Sequence, residues 1–112
     1  MSTTKTGREA EDASADFLIK QGFNIIAQNW RTRWCEIDIV ASKNIIVYFI
    51  EVKYRKNNSY GDGLDAVTDT KLKQMTFAAE IWVNDNKWNG DYELAVISAN
   101  SDPLKIDNFI VI

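Results

Sequence analysis

Residues 35–55 read C-E-I-D-I-V-A-S-K-N-I-I-V-Y-F-I-E-V-K-Y-R, and the way this stretch folds decides the organisation of the rest of the chain. Two apolar runs, 35–41 and 45–53, are rich in β-branched and aromatic residues and flank a short polar step, the pattern of a β-hairpin. Glu36, Asp38, Glu51 and Lys53 nevertheless lie inside those runs. Burying an unpaired charge is costly, so charges placed there require a reason. Side chains alternate faces along a strand, so Glu51 and Lys53 project from the same side. A turn at Lys43 and Asn44 pairs Ser42 with Ile45, Val40 with Val47, Asp38 with Phe49 and Glu36 with Glu51. Asp38 and Glu51 then share a face as diagonal neighbours roughly 7–8 Å apart, close enough for their carboxylates to grip one divalent cation. A three-residue turn would instead flip one strand and separate them. The competing reading of Asp38, Glu51 and Lys53 is a buried charge network without a ligand.

Outward from the hairpin, the chain has ordinary globular proportions. Its 112 residues are enough for one small domain, and 46% hydrophobic against 26% charged residues argues against disorder over most of the length. There is no His and a single Cys, Cys35, so a Cys/His zinc site is excluded and any metal chemistry must use hard oxygen donors suited to Mg²⁺ or Mn²⁺. The N-terminus lacks an apolar signal region and no apolar run is long enough to span a membrane, so the cytoplasm is the default compartment and no membrane partner is expected. The formal charge of −3 weighs against a nucleic-acid-binding surface, which is usually basic. The charge is uneven, however: residues 1–60 hold 9 Lys/Arg against 7 Asp/Glu, and residues 61–112 hold 4 against 9. A cation bound between carboxylates would offset part of the acidic count where a phosphate would sit.

Residues 1–5 are polar and expected to fray. Thr6 and Glu9 form a capping-box signature for a helix carrying Ala10, Ala13, Phe17 and Leu18 on one stripe and ending near Gly22. Glu11 borders that stripe; as an acidic residue in the first turns it also complements the helix dipole. Residues 23–27 read as a first strand and 28–34 as a loop. In that loop Arg31 and Arg33 offer bidentate phosphate contacts and Trp30 and Trp34 offer stacking faces, unless the tryptophans cap the core and the arginines are solvated. Residues 56–63 form a turn-rich loop placed as a flap over the hairpin charges, with Asp62 and Asp65 read as turn and cap residues. Thr68 or Asp65 caps a second helix bearing Leu72, Met75, Ala79 and Trp82. Lys71 and Lys73 in its first turns oppose the helix dipole, which makes sense if one of them reaches an anion; the alternative is a solvated lysine. Strands at 92–98 and 105–112 follow, giving the order α-β-β-β-α-β-β.

An Asp on one strand followed after a short hairpin by Glu-x-Lys resembles the active site of the PD-(D/E)XK nucleases. Gly7-Arg8-Glu9-Ala10-Glu11-Asp12, Asn29-Trp30-Arg31, Glu36-Ile37-Asp38, Phe49-Ile50-Glu51-Val52-Lys53-Tyr54-Arg55 and Lys71 resemble, in that order, the pattern of the UPF0102 family. Ala10 and Cys35 depart from it, standing where the family usually has glycine. The resemblance covers about residues 7–83 and implies a single α/β domain over 1–112 with a restriction-endonuclease-like mixed sheet, similar to Holliday-junction resolvases. It implies Mg²⁺ or Mn²⁺ held by Asp38, Glu51, the Val52 backbone carbonyl and Glu11. Catalysis would fall to Asp38, Glu51, Lys53 and Glu11, and nucleic-acid contacts to Arg31, Arg33, Arg55 and Lys71. The implied partner is nucleic acid, DNA first, with association into a homodimer left open. Three readings follow: a metal-dependent endonuclease acting on branched or repair intermediates of DNA, a non-catalytic nucleic-acid-binding module, or a protein-interaction domain with a degenerate site.

Overall fold

A computed structural model of the chain describes residues 5–55, 67–101 and 104–112. Its elements run α1 (Lys5–Lys20), β1 (Asn24–Arg31), β2 (Glu36–Lys43), β3 (Ile46–Arg55), α2 (Asp69–Asp85), β4 (Tyr92–Ser101) and β5 (Leu104–Val111), so the fold is mixed α/β in the order α-β-β-β-α-β-β. The five strands form one sheet in sequence order. β3 is central, antiparallel to β2 and parallel to β4. A parallel neighbour requires a crossover connection, and α2 lies in it.

The I-V-Y-F-I run of β3 is apolar at every position because both of its faces are covered. Ile50 packs with Ala15 and Leu18 of α1, Ile39 and Ala41 of β2, and Ala95 and Ile97 of β4. Val47 and Phe49 point the other way, joining Val40 of β2 and Ala78, Ala79 and Trp82 of α2. One helix therefore closes each face. α1 stops where Gly22 takes a left-handed φ of 95°, with the Phe23 N–H donating to the Leu18 carbonyl at 2.9 Å. α2 starts at Thr68, whose hydroxyl accepts from the Lys71 N–H at 3.1 Å.

The structure corrects several local expectations. The hairpin turns at Asn44 and Ile45, with φ of 53° and 61°, so Lys43 faces Ile46, Ser42 faces Val47 and Val40 faces Phe49. A turn with both central residues left-handed matches the twist of the strands, and Asn tolerates that conformation well. Keeping Lys43 in the strand lets its ammonium donate to the Gln21 carbonyl at 2.7 Å and lie 5.2 Å from the centre of the Phe23 ring. The Lys43–Asn44 turn and its pairings of Asp38 with Phe49 and Glu36 with Glu51 are thus replaced by a register displaced by two residues, a slip that regular alternation allows without exchanging faces. β1 continues to Arg31 through residues expected in a loop, because Gln28, Trp30 and Arg31 pair with Ile39, Ile37 and Glu36 of β2. α1 begins at Lys5, so Thr6 lies within the helix and Lys5 does not lie in a frayed tail. The flap expected at 56–63, including Asp62, falls outside the described residues, as does Asp65. Among the described residues no helix is long and apolar enough to cross a membrane.

Candidate active site

The β2–β3 ladder ends at the pair Ile39 and Ile50. One step further the register sets Asp38 opposite Glu51, and there the strands stop pairing. The Val52 N–H donates to Asp38 Oδ2 at 2.8 Å, so a side-chain carboxylate takes a backbone donor beyond the end of the ladder. β2 also turns about its own axis at this point. Ile39 belongs to the α1-side cluster and Ile37 to the α2-side cluster, whereas simple alternation would put both on one face. On β1, Asn29 lies between the pairs Gln28–Ile39 and Trp30–Ile37, hence across from Asp38, and has a left-handed φ of 53°. The sheet is distorted at the same step on both strands, and the distortion brings Asp38 toward Glu51 and the start of α1.

Three carboxylates from three elements feel one another there. Asp38 is pushed up to about 8, first by burial and then by the negative charge of Glu51, with Glu11 adding to the rise; the Val52 N–H and the Lys71 ammonium pull against it. Glu11, on α1, is 7% exposed. Burial raises its pKa most, a hydrogen bond from Asn29 opposes this, and Asp12, Glu36 and Glu51 raise it further. Glu11 Oε1 is buried with no hydrogen-bond partner among the described residues, the kind of orphan acceptor that costs stability unless something else satisfies it. Glu51 is half-buried and accepts the Lys71 ammonium at 3.0 Å.

Lys53 is exposed and borders a cleft of about 270 Å³ together with Glu51, Thr68, Lys71 and Gln74. The Val52 side chain packs on the α1-side core, and its backbone lies between Glu51 and Lys53. Lys71 is paired with Glu51, so it stands among the carboxylates instead of being a solvated surface lysine. Arg31 is the last residue of β1, exposed, with Glu36 as its register partner. Arg33 lies in the β1–β2 turn with its guanidinium 5.2 Å from the centre of the Trp34 ring. Arg55 ends β3, and its side chain is outside the described residues. Of the two tryptophans offered for stacking, Trp30 packs against the α2-side core and Trp34 is 72% exposed. Ala10 and Cys35 do not have positive φ, so neither position requires a glycine backbone. Asn29 is the residue that sequence reasoning left without a role; an amide with poor strand propensity in the middle of a β-run was its signal.

Among the described residues no group of three or more Asp, Glu or Cys side chains forms a ready-made cation cage. What Asp38 and Glu51 provide is a carboxylate pair. That suits Mg²⁺ or Mn²⁺, since small hard cations are commonly held by one or two carboxylates while keeping several waters or substrate oxygens. The orphaned Glu11 Oε1 and the weakly compensated Asp38 carboxyl both fit a neighbouring positive charge.

A family profile described as uncharacterised protein family UPF0102 matches residues 10–109. A UPF0102 protein of Fusobacterium nucleatum subsp. nucleatum is 38% identical over 94 residues, covering 84% of this chain and 78% of the relative. Another, from Chloroherpeton thalassium, is 39% identical over 104 residues, covering 92% and 81%, and one from Vibrio campbellii is 33% identical over 100 residues, covering 87% and 82%.

Proposed function

We propose that this chain, which belongs to the UPF0102 family, is an endonuclease that uses Mg²⁺ or Mn²⁺ to hydrolyse phosphodiester bonds in DNA, with branched or repair intermediates as its substrates. The observation that supports this most is the half-buried Asp38 carboxyl set opposite Glu51 at the point where β2 and β3 part, with Lys53 two residues further along the Glu51 strand. Lys71 pairs with Glu51, while Asp38, whose hydrogen-bond donor among the described residues is the Val52 N–H, keeps a raised proton affinity beside a like-charged neighbour.

When bound, a hard divalent cation supplies Lewis-acid polarisation of the phosphate and a more acidic water. Asp38 and Glu51 would hold it, with the Val52 carbonyl next to Glu51 along β3. Glu11, whose proton affinity is raised by burial, accepts a proton from the attacking water or orients it through its free oxygen. Lys53 places its ammonium beside the phosphate, where negative charge grows during displacement. Lys71 compensates Glu51 in the absence of substrate and is within reach of a phosphate oxygen once that carboxylate has another partner. Arg31 and Arg33, at the end of β1 and in the turn after it, supply phosphate anchors beyond the cleavage point.

Calorimetric titration with Mn²⁺, run beside Asp38→Ala, tests the cation site without knowledge of the substrate. Saturable binding by the parent protein that Asp38→Ala abolishes supports the reading. Equal binding by both proteins, or none at millimolar Mn²⁺ in a folded sample, overturns it and leaves the non-catalytic module as the better account.

A further inference from the structure

Trp34 is held out to solvent by a turn built for the purpose. The Thr32 hydroxyl accepts from the Trp34 N–H at 3.1 Å and from the Cys35 N–H at 3.2 Å, and the Thr32 N–H donates to the Cys35 carbonyl at 2.8 Å. With its backbone pinned on both sides, the indole stays 72% exposed. Across from it, Phe77 of α2 is 49% exposed. Both rings line a cleft of about 390 Å³, a volume within the range of small-ligand sites. Both also line a second cleft of about 260 Å³ that includes Glu51 and Lys71. The aromatic cleft thus shares Trp34 and Phe77 with the cleft that holds Glu51 and Lys71.

We propose that Trp34 and Phe77 form a stacking site for an unpaired nucleobase next to the scissile phosphate, so that the substrate is single-stranded or carries unpaired nucleotides at the cut. This inference rests on the nuclease reading above for the identity of the occupant. The charge arrangement supports a nucleotide over an apolar protein segment. Arg33 sits 5.2 Å from the centre of the Trp34 ring, and Lys71 lines the adjoining cleft with Glu36 and Glu51, so each cation is available to a phosphate flanking the stacked base once a cation bound at Glu51 offsets the carboxylates. Glu80 and Asp85 line the outer part of the cleft, where they repel phosphate and accept hydrogen bonds from exocyclic amino groups. A base pair inside duplex DNA has no free face to offer, so stacking here selects for unpaired nucleotides, and every base is eligible because every base has a π-face.

The test is fluorescence anisotropy in EDTA, where no cleavage occurs, with a labelled single-stranded DNA, the same sequence as a blunt duplex, and a single-stranded RNA. The parent protein, Trp34→Ala, Trp34→Phe and Phe77→Ala are compared; both positions are exposed, and circular dichroism verifies the fold. Single strands are expected to bind more tightly than the duplex. Trp34→Ala should weaken single-strand binding about tenfold and leave duplex binding near its parent value, with Trp34→Phe within about threefold of the parent, the loss of one base-stacking partner. Equal losses on duplex and single strand, no loss in Trp34→Ala, or no single-strand binding by the parent protein would overturn the proposal. The RNA arm reports whether the sugar matters to the same site. Cleavage assays separate the two claims: a protein that cuts DNA with Mn²⁺ yet ignores Trp34→Ala loses only this inference, and one that binds single strands through Trp34 yet never cuts loses only the nuclease reading.

Discussion

Replacing Asp38 by asparagine should stabilise the cation-free protein. The Asp38 carboxyl is raised from 3.8 to about 8 by burial and by Glu51. Each tenfold change in proton affinity between folded and unfolded states is worth about 1.4 kcal/mol, so at neutral pH ionisable Asp38 costs the folded state on the order of 4 kcal/mol. The asparagine amide keeps an oxygen for the Val52 N–H and offers a donor to Glu51, while its own burial takes back part of the gain. A net stabilisation of about 2 kcal/mol remains, roughly 6–10 °C in Tm for a domain of this size. The pH dependence has a definite sign. Because the folded pKa lies above the unfolded one, the folded state binds more protons between about pH 4 and 8, and stability falls as pH rises through that window before levelling off. Glu11, also raised, contributes in the same direction. Thermal or urea denaturation in EDTA at pH 5, 7 and 9 measures both effects. Asp38→Asn should show the higher stability at pH 7 and a shallower fall with pH. A variant less stable than its parent at pH 7, or a parent protein whose stability climbs from pH 5 to 9, would refute the reasoning.

Mg²⁺ or Mn²⁺ at millimolar concentration should raise the Tm of the parent protein by several degrees, by binding the folded state alone, and have little effect on Asp38→Asn; scanning fluorimetry at pH 7 with and without EDTA checks this. Lys53→Ala should lower the single-turnover cleavage rate by about 100-fold while changing DNA affinity only slightly, since an interaction made with developing charge acts on the transition state; quench-flow beside anisotropy separates the two. Arg31→Ala should do the reverse, weakening binding and reducing its salt dependence by about one counterion, read from a salt titration of affinity. Trp82→Ala should cost about 3–5 kcal/mol in urea denaturation, because Trp82 is 6% exposed and its ring lies 5.4 Å from that of Phe49 in the α2-side core.

The hairpin was legible because alternation is a local rule that β3 obeys, with Ile50 and Val52 on the α1 side and Val47 and Phe49 on the α2 side; β2 breaks the rule between Ile37 and Ile39, so the expectation that Asp38 and Glu51 share a face could not be read from alternation alone. The register was not, since a slip of two residues buries the same side chains under regular alternation and only the turn distinguishes the alternatives; Asn44 tolerates left-handed φ, β-branched Ile45 takes it at a steric cost, and Lys43 finds partners in the strand. The slip matters at the site, where it turns a diagonal carboxylate pair into a directly opposed one. The extension of β1 was hidden by Gln28 and Asn29, polar residues on an edge strand with a distorted backbone at Asn29. Lys71 was visible as a cation misplaced at a helix N-terminus, but its ion pair with Glu51 depends on how the start of α2 meets the end of β3, a contact between residues 20 positions apart that no local pattern encodes. The same holds for Glu11, whose neighbours Asn29, Glu36 and Glu51 come from three different strands. Trp30 and Trp34 looked alike in the sequence and were separated only by the pairing of Trp30 with Ile37, which turns that indole into the core.

The central claim is that Asp38, Glu51 and Lys53 cut phosphodiester bonds with the help of a divalent cation. Its most direct test is a single-turnover cleavage assay of purified protein on branched and linear DNA with Mn²⁺, in which the parent protein is compared with Asp38→Asn, Glu51→Gln and Lys53→Ala and with an EDTA control. The account predicts discrete products from the parent protein that vanish in EDTA and fall by at least about 100-fold in each variant. Undiminished cleavage by the variants, or product formation that persists in EDTA, would contradict it.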